Sequence, residues 1–346
     1  TAHLNVFQNL DYKTTGTPTP ISNIRIAHLT INGGNPTYRA NGIIVQEISN
    51  LIIEDVEIKN TYHEAIQVNN EDHALPTETS KHIIIRNVIC NKNGKTNGTY
   101  LSDVIALHSV EDFTIENVRI TNGGARLLLI SRQSPSAPSS RNGTLKNVYL
   151  DKARGNEPLF ISYAEDVAII GCQMLNGNEE GAHVSYGTER LYFSQCRFFN
   201  NNLQGLLIGY TQNSTIENCT FEANGHGDPV NGRGIDIVGS SNIHVRGCTA
   251  SDNTDSGFMI SSNNVQTAVD VEFSSCNASQ NGNDGFLASR DTNDLINIRF
   301  VSCSSESNIG YGFCLISVDN YLIRRCHIAN NAAGPFQIIG WNGTIE

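Results

Sequence analysis

The sequence predicts an all-β chain, a single-stranded right-handed parallel β-helix of about twelve rungs, and three observations carry that expectation. Seven cysteines, Cys172, Cys196, Cys219, Cys248, Cys276, Cys303 and Cys326, follow one another at 24, 23, 29, 28, 27 and 23 residues. Each closes the same frame of an apolar–any–apolar triplet and two further residues, as in Leu191-Tyr-Phe193 before Cys196 and Ile243-His-Val245 before Cys248. Self-similarity at a period of 20–50 residues marks a solenoid. Each repeat also divides into two strand-like pieces around an Asn/Gly corner, as in 23–31 followed by 42–46. Finally, charged residues make up only 16%, glycines number 30, and Asn, Ser and Thr crowd the segments between apolar triplets. That is a turn-rich β composition.

The first strand of each repeat carries the cysteine column, which continues backwards through Leu29, Val56, Val88, Val118 and Val148. Valine and leucine give way to cysteine in one stack, so the thiols read as buried, reduced, small hydrophobes. No CxxC pair and no Cys/His cluster at zinc spacing is present, so no metal ligand set follows from them. The second strand starts at Gly42, Ala65, Val104, Arg126, Pro158, Gly181, Gly205, Gly234, Gly257, Gly285, Gly312 and Pro335. Period-2 alternation then puts Ile44, Gln67, Ala106, Leu128, Phe160, His183, Leu207, Asp236, Met259, Leu287, Cys314 and Gln337 on the outer face. A polar column of Asn60, Asn122, Asn176, Asn200, Asn281, Asn308 and Asn330 falls at the corner after the first strand. Asparagine tolerates the left-handed conformation and its amides stack along an axis. At about 4.8 Å per rung the rod would be on the order of 55 Å long. A leucine-rich repeat would need an L-x-x-L-x-L frame and a helical return leg, and neither is present. Residues 1–346 read as one β-helix domain. Neither end shows the polar cap that a solenoid needs, so the chain reads as a fragment lacking one or both caps.

The formal net charge is −11. Phosphate neutralisation needs clustered Lys and Arg, so no nucleic-acid partner is expected. No run of 18 apolar residues occurs, so no membrane span is expected. Longer segments at 69–80, 91–102, 132–142 and 224–233 interrupt the repeat, and loops on a rigid scaffold are where function concentrates.

The repeated corner followed by Gly-Phe and a short strand, as in Asn281-Gly-Asn-Asp-Gly-Phe286 and Asn253-Thr-Asp-Ser-Gly-Phe258, resembles the pectate-lyase-like β-helix superfamily. Within it the chain is similar to catalytic modules of bacterial mannuronan C-5 epimerases and to β-helical tail proteins of phages, over residues 22–340. The resemblance implies a polysaccharide partner and an extracellular or virion-associated location. The epimerase strand motif reads Tyr-Gly-Phe-Asp-Pro-His. By register Glu64-Ala-Ile-Gln-Val-Asn69 is its counterpart, and one rung later Asp103-Val-Ile-Ala-Leu-His108 keeps the histidine and has Ala106 in place of the acid.

A lyase or C5-epimerase acting on a uronate needs a group that neutralises the carboxylate, a base for the C5 proton and an acid. Arg132 is the candidate for the first role, His108 for the base and Tyr163 for the acid, with His183 the polar outlier of the outer column. Gln67, Asn69, Tyr186 and Tyr210 are candidates for binding sugar, the tyrosines as a ladder of aromatic faces. A glycoside hydrolase instead needs two carboxyls. Glu64 and Asp103 share a column on adjacent rungs, Glu157 and Glu180 form a second such pair, and Glu71, Asp72 and Asp236 can contribute. Such a protein, of the phage-tailspike type, would be a homotrimer with Ile44, Leu128, Ile130, Phe160, Leu207 and Met259 partly facing a neighbour. A non-catalytic adhesin or rod is the third reading. No cofactor is expected. Calcium is the ion compatible with Glu71-Asp72 and Glu179-Glu180, but neither pair lies in a calcium-loop signature. Gly225-His-Gly227 lies in a loop without the Asp-Asp pair that precedes it in polygalacturonases, and the Asn-x-Ser/Thr sequons follow from composition.

Overall fold

A short strand with one apolar face can bury that face in a solenoid only against copies of itself stacked one turn away. The computed structural model, which describes residues 3–8, 21–34, 39–69, 79–94, 102–132, 134–228, 230–262 and 266–346, follows that rule throughout. The fold is a right-handed parallel β-helix of about eleven turns without a helix among the described residues. Contacts divide the chain into two compact units, Thr1–Gln173 and Met174–Glu346.

In the first unit, Ile48–Lys59 pairs in parallel with Ser80–Asn91, setting Leu51, Ile53, Val56 and Ile58 opposite Ile83, Ile85, Val88 and Cys90. All eight side chains are buried. The second strand column runs through Ile66–Val68, Ile105–His108, Leu128–Ser131 and Leu159–Ser162. Here one expectation is corrected. Leu128 lies opposite Ile105 and Leu129 opposite Ala106, so the fourth rung starts one residue later than the aligned repeats suggested. Leu128 and Ile130 are fully buried and face inward, not toward solvent or a neighbouring chain. The cause is the run Leu127-Leu-Leu-Ile130, which lacks the alternation that fixes register. Arg126 consequently falls in the polar position before the strand, where its carbonyl accepts from Val104 N at 2.9 Å.

In the second unit, Cys196, Cys219, Cys248, Cys276 and Cys303 form the expected buried column. Each thiol leans on main-chain carbonyls: Cys248 Sγ lies 3.4 Å from Arg246 O and 3.6 Å from Ile216 O. Beside them Phe258, Phe286 and Phe313 stack at 5.0 and 4.8 Å between ring centroids. Eight of the nine cysteines are buried and Cys326 is half-buried. A thiol reagent should therefore titrate at most one cysteine promptly in the folded protein and all nine in denaturant. Several fast thiols under native conditions would contradict the buried column.

The asparagine column separates into two. Asn60, Asn122, Asn176, Asn200 and Asn330 take positive φ at the corner, between 52° and 57°. The next residue on each turn builds an inward ladder of Asn201, Asn224, Asn253, Asn281, Asn308 and Asn331. Asn281 and Asn308 therefore belong to the ladder and not to the corner position. In this ladder each Nδ2 donates to the Oδ1 of the next at 2.8–3.0 Å. The two columns are adjacent in sequence and both rich in Asn, so spacing alone merged them.

Candidate active site

The first unit places its expected site residues as follows. Asn69 is a buried brace: its Oδ1 accepts from Glu47 N at 3.0 Å and Ser80 Oγ at 2.8 Å, and its Nδ2 donates to His108 O at 2.7 Å. That use of the amide removes it from sugar binding. Gln67 lies opposite Ala106 and is buried as well. His108 lies opposite Ser131, is only 2% exposed, and hydrogen-bonds the Arg132 main chain. Alternation put His108 on an open face, but that face is covered here. Burial, with help from the Arg126 charge, depresses His108 to about 4, so it is a neutral imidazole. Asp103 accepts from Arg126 Nε at 2.8 Å. Burial raises its carboxyl and Arg126 opposes the rise. The Glu64–Asp103 pair therefore has one member committed to an arginine. Arg132 does meet Tyr163, with its guanidinium 3.4 Å from the ring centroid. Arg126 lies 5.0 Å from the Phe160 ring centroid in the same manner.

The second unit gathers more. Ala182–Ser185 pairs with Leu206–Gly209, and that strand pairs with Ile235–Val238, so His183, Leu207 and Asp236 stand in one column. Gly181 N donates to Gln204 O and Gly205 N to Arg233 O, both at 2.9 Å. Glu180, Gln204 and Arg233 thus form a second column, three residues upstream. Tyr186 and Tyr210 make a third, stacked with ring centroids 4.6 Å apart and planes 11° from parallel. Gly239, at φ +51°, closes that column beneath Tyr210. Nine positions on three successive turns therefore form one patch. Tyr186 is 51% exposed. The two tyrosines turn faces toward each other, so a sugar meets their edges and hydroxyls more than a ladder of open faces.

The loop before Ile235 supplies the cation. Asp228 accepts from Val230 N at 2.9 Å and Asn231 Nδ2 at 2.8 Å, which folds the loop back on itself. Arg233 then reaches Val230 O at 3.2 Å, Asp236 Oδ2 at 2.7 Å and Asp255 Oδ2 at 3.0 Å. Gln204 Nε2 lies 3.4 Å from the same Asp236 oxygen. Asp236 Oδ1 and Gln204 Oε1 are buried and make no hydrogen bond among the described residues. Such orphan acceptors cost about 1–3 kcal/mol each unless a ligand or water satisfies them.

Glu180 is the second carboxyl of the patch, 3.9 Å from His183 Nδ1. Burial, joined by the charges of Glu179 and Asp236, raises its carboxyl to about 7. Burial also raises Asp236, but there Arg233 and Gln204 act in the opposite direction. Both acids of the patch are thus raised, but Glu180 has no cation beside it among the described residues, whereas Asp236 is paired with Arg233 at 2.7 Å. One sequence signal pointed to Asp236. Arg233-Gly-Ile-Asp-Ile-Val238 keeps the Gly-x-Asp core of the epimerase motif, with Arg233 for its tyrosine and Val238 for its histidine.

The fold is that of a right-handed parallel β-helix. The sequence pattern of the family described as a right-handed beta helix region matches residues 103–270. The A-module of a mannuronan C-5 epimerase from Azotobacter vinelandii has a similar structure, with TM-score 0.64 and 12% identity over 94% of this chain and 88% of that one. The Agl-KA catalytic domain is similar at TM-score 0.52 and 10% identity, over 94% of this chain and 62% of that one. No curated protein sequence matches the chain. No helix among the described residues is long and apolar enough to cross a membrane.

Proposed function

We propose that the protein is a polysaccharide-active hydrolase of an extracellular glycan, with its catalytic carboxyls in Met174–Glu346. Glu180 donates its proton to the glycosidic oxygen as the bond to the anomeric carbon breaks. Asp236 Oδ1 takes a proton from the water that attacks that carbon, so both carboxyls exchange one proton per turnover. The observation that carries this reading is the unequal pair: Glu180 raised to about 7 with no cation among the causes of its shift, and Asp236 held at 2.7 Å by Arg233. Glu180 and Asp236 stand two turns apart, about 9.6 Å along the axis. They also lie in columns three positions apart, so the pair is set wider than the ~5–5.5 Å of a retaining pair, and the reading is inversion through a water. The Gly-x-Asp core without the motif's tyrosine and histidine also favours carboxylate chemistry over proton abstraction at C5.

A polysaccharide panel read for reducing ends tests this directly. Cleavage without absorbance near 230 nm, with the new anomeric centre inverted in the first minutes of a proton NMR time course, is the expected result. Retention of configuration would move the roles to another pair.

A second reading, lyase or epimerase chemistry on an acidic polysaccharide, is favoured by the Arg132–Tyr163 contact at 3.4 Å. There Arg132 neutralises a uronate, the Tyr163 oxygen takes the C5 proton and returns it to the leaving oxygen as its bond to C4 breaks, and neutral His108 supports the loop from behind. On this reading Arg132→Ala lowers product absorbance near 230 nm (lyase) or the change in C5 configuration seen by proton NMR (epimerase) at least a hundredfold. An unchanged rate removes Arg132 from the chemistry.

A further inference from the structure

We infer that the Glu180–Asp236 patch takes an uncharged, hydroxyl-rich glycan and discriminates against uronates and other anionic sugars. This rests on the proposed hydrolase site and adds its substrate class.

Two independent observations meet here. The first is the pair of orphan acceptors. Asp236 is 3% exposed and Gln204 6%, yet Asp236 Oδ1 and Gln204 Oε1 have no donor among the described residues. Both oxygens only accept, so the group that completes them must donate. The attacking water donates to Asp236 Oδ1 and a sugar hydroxyl to Gln204 Oε1; a carboxylate in that hydroxyl's place only accepts and would leave Gln204 Oε1 unmet.

The second is charge. Asp236 and Asp255 contribute carboxylates and Glu179 adds a further negative charge beside Glu180, which itself carries its proton. Arg233 is divided between Asp236 at 2.7 Å and Asp255 at 3.0 Å and is itself largely buried. The acidic groups therefore outnumber the one arginine, which is already spent. An anionic sugar approaching the patch from solvent would meet a field of its own sign, which salt screens. A uronate-processing site needs the reverse, a cation left over for the substrate.

The test uses one neutral glucan and its C6-oxidised glucuronan, otherwise matched in linkage and length. Hydrolysis is followed by reducing ends at 20 and 300 mM salt, and retention is followed by affinity electrophoresis through gels containing either polymer. The neutral polymer should be cleaved at least tenfold faster at low salt, with the gap narrowing at high salt as screening sets in. Glu179→Gln should narrow it further. Equal or faster cleavage of the oxidised polymer, or a gap indifferent to salt, overturns the inference. If neither polymer is cleaved, the hydrolase reading fails, and retention then decides the substrate class alone. Retardation by the neutral gel only supports it. Retardation by the anionic gel, or by neither, overturns it.

Discussion

Glu180→Gln is expected to lower glycan hydrolysis by 10²–10⁴-fold, the usual share of a general acid. The substitution keeps the volume and removes the proton that the glycosidic oxygen needs. Because Glu180 is raised to about 7, wild-type activity should fall as pH rises through that value, and the residual activity of the variant should lose that limb. Stability gives a second readout that an incidental carboxyl would not move. A carboxyl whose folded value lies above its unfolded one binds more protons in the native state. It therefore makes stability fall as pH rises from 4.5 to about 7. That window corresponds to roughly 3 kcal/mol, and the slope should flatten in Glu180→Gln. Denaturant titrations at pH 4.5 and 8 measure it, and an unchanged slope would place Glu180 in water.

Asn253→Ala is expected to cost about 3–5 kcal/mol of stability, more than most single substitutions. Asn253 Oδ1 accepts from Asn224 N at 3.1 Å and Asn224 Nδ2 at 2.9 Å. Its Nδ2 donates to Phe221 O at 3.1 Å and Asn281 Oδ1 at 3.0 Å. Alanine strands these partners inside a dry stack, where a partly satisfied polar network is costly. Asn202 is the matched control, since it is half-exposed and its side chain makes a 3.4 Å bond to Asn178 Oδ1. Asn202→Ala should change the guanidinium midpoint by little, within about 0.5 kcal/mol. Comparable losses in both variants would mean that the ladder contributes no more than a surface amide.

The fold was legible because a solenoid repeats its evidence. Cys196, Cys219 and Cys248 recur in one buried stack, and any one of them sets the register of its neighbours. Register failed at Leu127–Ile130, where four apolar residues in a row carry no alternation, and there Leu128 and Ile130 turn inward. The site was harder to see because exposure is not periodic. His108 and Phe160 occupy outward positions by alternation, but only the structure shows that His108 is covered and Phe160 half-exposed. Glu180 and Asp236 were both in view as carboxyls. Their meeting depends on Arg233, which a loop folded by Asp228 delivers, and spacing says nothing about where a loop returns.

The measurement that tests the account most directly is a polysaccharide panel read at once for reducing ends and for absorbance near 230 nm, with wild type and Glu180→Gln side by side. The account predicts reducing ends without that absorbance for wild type, and reducing ends released at least a hundredfold more slowly, again without absorbance, for the variant. Absorbance rising with cleavage, or a fully active Glu180→Gln, would contradict it.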